Sequence, residues 1–491
     1  MSALLASAPL WLILIGMVIL RRSAILSGAA GLALAIVLAL TAVEPAEGVA
    51  PLLIGVAAEA AHSTATIVWI IFPALALFEF QKACGAIIRI RDMLASVTGD
   101  RRLQAILIAW FFGLFMEGAA GFGTPVALAA PLLVGLGYPP VRAVVLALLG
   151  HAAGVSFGAV GTPVLAQVTI SGLPAQDIAT RTAAMHAVCA PVLLLVMVRL
   201  ADDAPLSGRI LAWTAFAAAS FLAPSLLLAA LIGPELPTLG GALIGAAVFI
   251  AVLRRRSSGK AVRPRGLLAD LAPYVIILLL VLVTRLIAPV QRTLADLSLS
   301  WSIGGDYSGA FQPLYHPGTL LFLGLFLGAL GTGRLRLLPG ALSASIRRLV
   351  RVAFTLLVML MLSRLMVHAG MIGTLAAAAA SVGPAWPLLS PFVGVLGTFI
   401  TGSATSSNIL FTEFQISTAN RLGLPATDLM AAQGFGSAIG NIVAPHNIIA
   451  GSATVGLTGR EGEVMARTAK PCLIYTALGG LLTFGWLQLA A

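Results

Sequence analysis

Long apolar runs dominate the pattern along this chain. Uninterrupted stretches fall near 4–20, 23–43, 64–82, 183–200, 210–231, 238–253, 271–288, 316–332, 350–370 and 471–489. Most approach the roughly 20 residues that a helix needs to cross a hydrocarbon core. Two further stretches, 104–170 and 384–456, are as apolar but are broken by Gly, Pro, Ser, Thr and Asn. Basic clusters punctuate the runs. One holds Lys82, Arg89, Arg91, Arg101 and Arg102; another holds Arg254, Arg255, Arg256, Lys260, Arg263 and Arg265. A third holds Arg334, Arg336, Arg347, Arg348 and Arg351, and a fourth Arg460, Arg467 and Lys470. Short basic loops stay on the cytoplasmic side. All four clusters can lie there only if each broken stretch contains a re-entrant hairpin followed by one broken crossing.

The pattern therefore predicts an all-α polytopic membrane protein with about 12 spans plus two re-entrant hairpins. The first hairpin, 104–137, would enter from the inside and precede a broken crossing at 141–168. The second, 386–421, would enter from the outside and precede a crossing at 426–456, so the two hairpins are oppositely oriented. The acidic loop with Glu44 and Glu47 then falls outside. Arg21 and Arg22 follow the first run instead of preceding it. A secretory signal has the reverse polarity, so a retained first span with its N-terminus outside is expected.

A weak internal repeat supports this order. "EGAAGFGTP" (117–125) occupies the place of "TGSATSSNI" (401–409), and each is followed by a Gly-x-Pro turn, at Gly137–Pro139 and Gly423–Pro425. Next come "GAVGTP" (158–163) and "GNIVAP" (440–445), each inside a broken span. Interrupted helices in matching positions of two inverted halves are the best sequence pointer to a secondary transporter and its binding site. The chain divides on this basis into a first inverted repeat (1–209), two extra spans with a basic cytoplasmic linker (210–265), and a second inverted repeat (266–491).

Composition narrows the function classes. Of 491 residues, 59% are hydrophobic and 10% charged, against about 25% charged in soluble domains. A water-soluble enzyme, a disordered chain and a nucleic-acid module are excluded. The net charge of +11 sits in the short loops and carries no message about a nucleic-acid partner. Cys84, Cys189 and Cys472 have no paired spacing, and no Asp/His/Cys grouping suggests a metal site. No cofactor is expected. The partners to expect are a small organic anion and membrane lipid, and a homo-oligomer is compatible with the chain.

The breaks themselves suggest the chemistry. Unpaired backbone at membrane depth is tolerated only inside the protein or along a cavity. Thr124-Pro125 and Thr162-Pro163 place a hydroxyl at a helix start with proline just inside it, and Ser406, Ser407 and Asn408 offer caps in the second half. A helix start presents free N–H groups and about half a positive charge, which suits a carboxylate. The expected substrate contacts are Gly123, Thr124, Thr162, Ser403, Thr405, Ser406, Ser407, Asn408, Gln433 and Asn441. Most of the 51 glycines need no such role, since small residues let membrane helices pack closely.

Glu117 lies at the first hairpin turn, and ionisable groups at membrane depth are costly and usually functional. It is the leading candidate for proton coupling; the bland alternative is a carboxylate that ties hairpin N–H groups together. His151 and His446, in the two broken spans, are further proton-coupling candidates or simply hydrogen-bonded structural histidines. Arg364 could clamp a substrate carboxylate or could lie against backbone carbonyls, and Glu413 is a weaker second carboxyl candidate. His368 reads as structural, and Arg285 as snorkelling from a span end. "GVSFG" (154–158) fits a hydrolase nucleophile pattern, but that motif has meaning only on a strand-to-helix turn, so no enzyme is expected.

At "EGAAGFGTPVALAAPLLVGLGY" (117–138) and "SPFVGVLGTFITGSATSSNILF" (390–411) the chain resembles the lactate permease family of bacterial secondary transporters, with weaker support from "GPELP" (233–237) and "TGREGEV" (458–464). The resemblance implies proton-coupled uptake of lactate, glycolate and similar 2-hydroxymonocarboxylates across the bacterial inner membrane. It also implies an inverted-repeat architecture of elevator type. Two departures stand out. Ala404 occupies the place of the acid usual in "GSDTSSN", and "APHN" (444–447) puts His446 where a neutral amide is usual. The alternatives left open are a sodium- or proton-coupled transporter of another small organic anion, such as a dicarboxylate, and a passive anion channel.

Overall fold

The computed structural model describes residues 2–20, 22–42, 48–121, 123–256, 266–304 and 307–490. Arg21, the acidic loop with Glu44 and Glu47, and the linker positions Lys260, Arg263 and Arg265 lie outside the described residues. The fold is overwhelmingly helical, and 11 of the described helices are long and apolar enough to cross a membrane. One β-hairpin, Leu299–Ile303 paired antiparallel with Tyr307–Phe311, accompanies them.

Two packed groups of helices organise the molecule. In the first, Val49–Ala83 lies along Leu338–His368, which also packs on Ala24–Ala42, and Pro317–Gly331 joins Val49–Ala83 to Leu267–Leu286. In the second, Trp386–Thr401 packs on Ala426–Gly440 and Glu461–Ala490, while Ala175–Ala201 packs on Gly208–Leu231 and Ala426–Gly440. Small residues allow that closeness: a Cβ at Gly436 would stand 1.9 Å from the carbonyl oxygen of Pro391. Without a water-driven hydrophobic effect between spans, such backbone approach supplies the dispersion contact.

Over 101–137 the chain forms the helix Arg101–Ala119, with a π-helical middle at Ile106–Phe112, then a turn and the helix Thr124–Gly135. Its two ends meet: Arg101 Nη2 donates to Gly137 O at 3.1 Å, and the Tyr138 hydroxyl donates to Arg101 O. Over 386–422 the helices Trp386–Thr401 and Ala404–Leu422 fold back on each other in the same way, with Trp386 Nε1 donating to Gln415 Oε1 at 3.1 Å. The stretch 140–171 is a helix to His151, a 3₁₀ segment Ala152–Phe157, and a second helix leading to Ser171. Likewise, Ala426–Gly440 is separated by a turn from Pro445–Thr454.

Arg285 does not snorkel. Its Nη2 donates to Glu235 Oε1 at 2.7 Å, its guanidinium covers the Tyr315 ring at 3.7 Å, and the two charged side chains are only 7% and 5% exposed. The reason is Glu235, which the "GPELP" turn carries into the interior, where an unpaired carboxylate would be very costly.

Asp270 anchors the basic end of the first group. Its carboxylate, with no exposed side-chain surface, accepts from Arg89 Nε at 2.7 Å and Nη2 at 2.6 Å and from Arg334 Nη1 at 3.0 Å. Asp270→Ala would strand both guanidinium groups, so a loss of about 2–3 kcal/mol is expected, discounted for the partial exposure of the arginines. Reversible unfolding in mixed micelles measures it; a change under about 0.5 kcal/mol would show that the cluster does not stabilise this end.

Candidate functional site

Four helix starts converge in the middle of the second group. At the first hairpin, Gly121 and Gly123 take left-handed backbone (φ +57° and +76°), and Thr124 Oγ1 donates back to Gly121 O at 2.6 Å. In the first broken span the chain leaves the 3₁₀ segment at Gly158 and runs through Ala159, Val160 and Gly161 with φ of +42°, +55° and +83°. A β-branched residue at positive φ is strained, and such strain persists only where the surroundings over-determine it. Here they do: a Cβ at Gly161 would stand 2.3 Å from Pro234 O, so this turn is wedged against the loop that Arg285 holds through Glu235. Thr162 Oγ1 closes the break by donating to Ala159 O at 2.6 Å.

In the second half Gly402, also left-handed at φ +71°, delivers Ser403 as an N-cap whose Oγ accepts from Ser406 N–H at 3.3 Å. The first intrahelical bond runs from Ser407 N–H to Ser403 O, which leaves the amides of Ala404 and Thr405 facing outward from the helix start. At the second break, Asn447 Nδ2 donates to Asn441 Oδ1 at 2.9 Å and crosses the gap ahead of Pro445–Thr454.

These starts line a partly open cavity of about 40 Å³. Of the residues expected from sequence, Glu117, Gly123, Thr162, Ser403, Thr405 and Asn441 line it. The lining missed by sequence reasoning includes Gly121, Gly158, Ala159, Gly402 and Asn447, and Ala404, noted in the sequence only as a departure from the usual acid, also lines it. Asn447 sits in the quoted "APHN", where His446 drew attention; successive helical residues point about 100° apart. The structure turns Asn447 inward and leaves His446 exposed, packed over Gly402.

Several expected contacts stand behind the wall. Thr124 N–H is already spent on Gly121 O at 3.0 Å, so the first hairpin offers less to an anion than its sequence suggests. Asn408 Nδ2 donates to the Pro163 carbonyl at 3.0 Å, tying the second hairpin to the first break, and its Oδ1 accepts from Ser437 Oγ at 2.7 Å. Ser407, Gln433 and Gln415 continue that uncharged chain to Trp386, and Ser406 serves through its capped N–H. Arg364 lies elsewhere: its Nη1 meets Glu413 Oε1 at 3.1 Å, its Nη2 donates to Ile170 O at 3.3 Å, and Glu59 and His368 complete the cluster.

Among the described residues of the cavity wall Glu117 is the one ionisable group, and it is 3% exposed. Its carboxyl rests on the bare face of Gly158, where an added Cβ would stand 2.1 Å from Oε1. Behind it, His151 Nδ1 donates to Ala147 O at 2.7 Å, and the unpartnered Nε2 stands 3.9 Å from Glu117 Oε2. Ser156 of the "GVSFG" pattern is fully buried in a helical segment. It donates to Gly434 O at 3.1 Å and accepts from His186 Nε2 at 2.9 Å, which pins the break to Ala426–Gly440.

A helical bundle of many apolar spans, with broken helices meeting at a buried polar cavity, defines a polytopic membrane transport protein. The sequence profile described as L-lactate permease matches residues 2–489, and the chain belongs to that family. It is 30% identical to the glycolate permease GlcA of Escherichia coli (strain K12) over 98% of this chain and 95% of that one. It is also 31% identical to an L-lactate permease of Streptococcus iniae, over 73% of this chain and 78% of the relative. Among solved structures, the YdaH transporter of Alcanivorax borkumensis shares the fold with a TM-score of 0.51 at 13% identity, covering 89% of this chain and 88% of that one. The relatives are permeases, not enzymes, and the family together with the apolar spans makes this a multi-pass protein of the bacterial inner membrane.

Proposed function

We propose that this protein is a proton-coupled symporter of small 2-hydroxymonocarboxylates such as lactate and glycolate. The observation that carries the coupling is Glu117, a lone carboxyl in an otherwise uncharged cavity wall. A substrate carboxylate seated in that space would sit within a few ångströms of it. Two negative charges so close in a poorly solvated space repel by several kcal/mol. The anion therefore binds well only when Glu117 carries its proton, and the two travel together. Ala404 puts a methyl group in the wall where the resemblance leads one to expect a second acid, which leaves Glu117 as the carboxyl placed for coupling and keeps another ion or anion as the alternative.

The substrate carboxylate would lie on the open amides of Ala404 and Thr405, with Thr162, Asn441 and Asn447 placed for further oxygens. The two hairpins are read as re-entrant and inverted relative to each other, with the division 1–209, 210–265 and 266–491. The second helix group, which holds the cavity, would move against the first in the manner of an elevator. The names of the relatives, lactate and glycolate permeases, support the substrate class.

Uptake of radiolabelled L-lactate by proteoliposomes under an inward proton gradient, without sodium, tests this reading. Accumulation that a protonophore abolishes is the expected result. Flux that equilibrates but never accumulates would overturn coupling in favour of a channel, and a requirement for sodium would overturn the choice of ion.

A further inference from the structure

A second cavity, of about 450 Å³, opens at the end of the molecule that carries the basic clusters. Its walls are almost wholly apolar. Phe111, Phe112 and Phe115 of the first hairpin arm form one side, the helix Pro237–Arg256 another, and Ile90 with Leu271 the side contributed by the neighbouring helices. Phe111 and Phe112 are buried at its floor, while Leu268 and Arg254 at its rim are exposed. Arg254 stands in its lining, and no carboxylate pairs with it among the described residues.

The chain that follows Arg254 is rich in bases. Arg254, Arg255 and Arg256 are followed in sequence by Lys260, Arg263 and Arg265, with no acid from 254 to 269. Nearby carboxylates are committed elsewhere, Asp270 to Arg89 and Arg334, and Asp92 to Arg91. An apolar recess between helices with Arg254 in its lining, followed along the same helix end by Arg255 and Arg256, matches the needs of one ligand chemistry: an acyl chain ending in a phosphate. Basic pockets between spans at the cytoplasmic face bind anionic lipid headgroups on these grounds.

We propose that this recess is a binding site for an anionic phospholipid, with one acyl chain against Phe111 and Phe112 and the phosphate on Arg254. The site sits on the helix that carries Glu117 two residues beyond Phe115. Its occupant would therefore pack between that arm and the helices Ala86–Ala95 and Leu267–Leu286. The proposal does not depend on the transported substrate.

The test uses the purified full-length chain in mild detergent, supplemented with phosphatidylglycerol or with phosphatidylcholine, and counts retained lipid by native mass spectrometry. Phosphatidylglycerol should be retained in preference. Arg254→Ala should weaken that retention about fivefold, the worth of one base near an anionic surface. Ala246→Trp, which fills the recess from Pro237–Arg256, should remove retention of this lipid while the protein still elutes as a folded species. Equal retention of the two lipids, or full retention in Arg254→Ala, would overturn the proposal. If Ala246→Trp does not fold, the lipid comparison and Arg254→Ala still decide it.

Discussion

Glu117→Gln should collapse proton-driven lactate accumulation to the equilibrium level while leaving counterflow exchange measurable. One pH unit is worth about 1.4 kcal/mol, which supports about tenfold accumulation per proton carried. The wild-type protein should approach that ratio under a one-unit gradient, and the variant should stay near unity. Glutamine keeps the size and neutrality of a protonated glutamic acid, so the cavity can still accept an anion without the repulsion that links anion to proton. A glutamate that only tied hairpin amides together would behave differently: the variant would lose binding and exchange, with any remaining uptake still proton-driven. Retained accumulation at the wild-type ratio would remove Glu117 from the coupling role. His151 should matter less, because its Nδ1 is already committed to Ala147 O and only Nε2 faces the acid.

What could be read in the sequence, and what could not, divides along physical lines. Helix starts were legible because their determinants are local. Thr-Pro at 124–125 and 162–163 and the serines after Gly402 sit where helices begin. Apolar run length located many of the long helices to within a few residues, but Val49–Ala83, Leu338–His368 and Glu461–Ala490 begin ten or more residues before the runs that mark them. Pairings across long separations were hidden, since nothing near Arg285 announces Glu235, 50 residues away, or turns it inward from the span end. The same limit applies to Arg364 on Leu338–His368, whose partner Glu413 lies on the second hairpin. Side-chain direction after a break was also hidden. "APHN" names two polar residues, and only the geometry decides that Asn447 faces the cavity while His446 faces away. The short helix Met371–Ala380 and the β-hairpin at 299–311 left no run long enough to register against the spans.

Gly158→Ala should reduce uptake about 10²-fold, the scale of loss when a reacting group is displaced by about 1 Å. The backbone at this position, φ −64° and ψ 155°, is open to any L-residue, so the substitution brings no conformational strain of its own. The conflict is one of space: the new methyl carbon would stand 2.1 Å from Glu117 Oε1 and 3.0 Å from Cδ. Glu117 is held on a buried arm, so its carboxyl must swing toward the cavity and into the room a substrate would take. Because the displaced group has some open space to enter, folding should suffer less than transport, by about 1 kcal/mol, the lower end of the usual range for overpacking. A compensating change distinguishes displacement from general damage. Glu117→Asp withdraws the carboxyl by one methylene, and in the Gly158→Ala background it should recover part of the proton-driven uptake. Normal transport by Gly158→Ala alone would show that the carboxyl does not rest on this glycine in the working protein. Loss without any recovery in the double variant would mean that the methyl group acts on the cavity wall and not through Glu117.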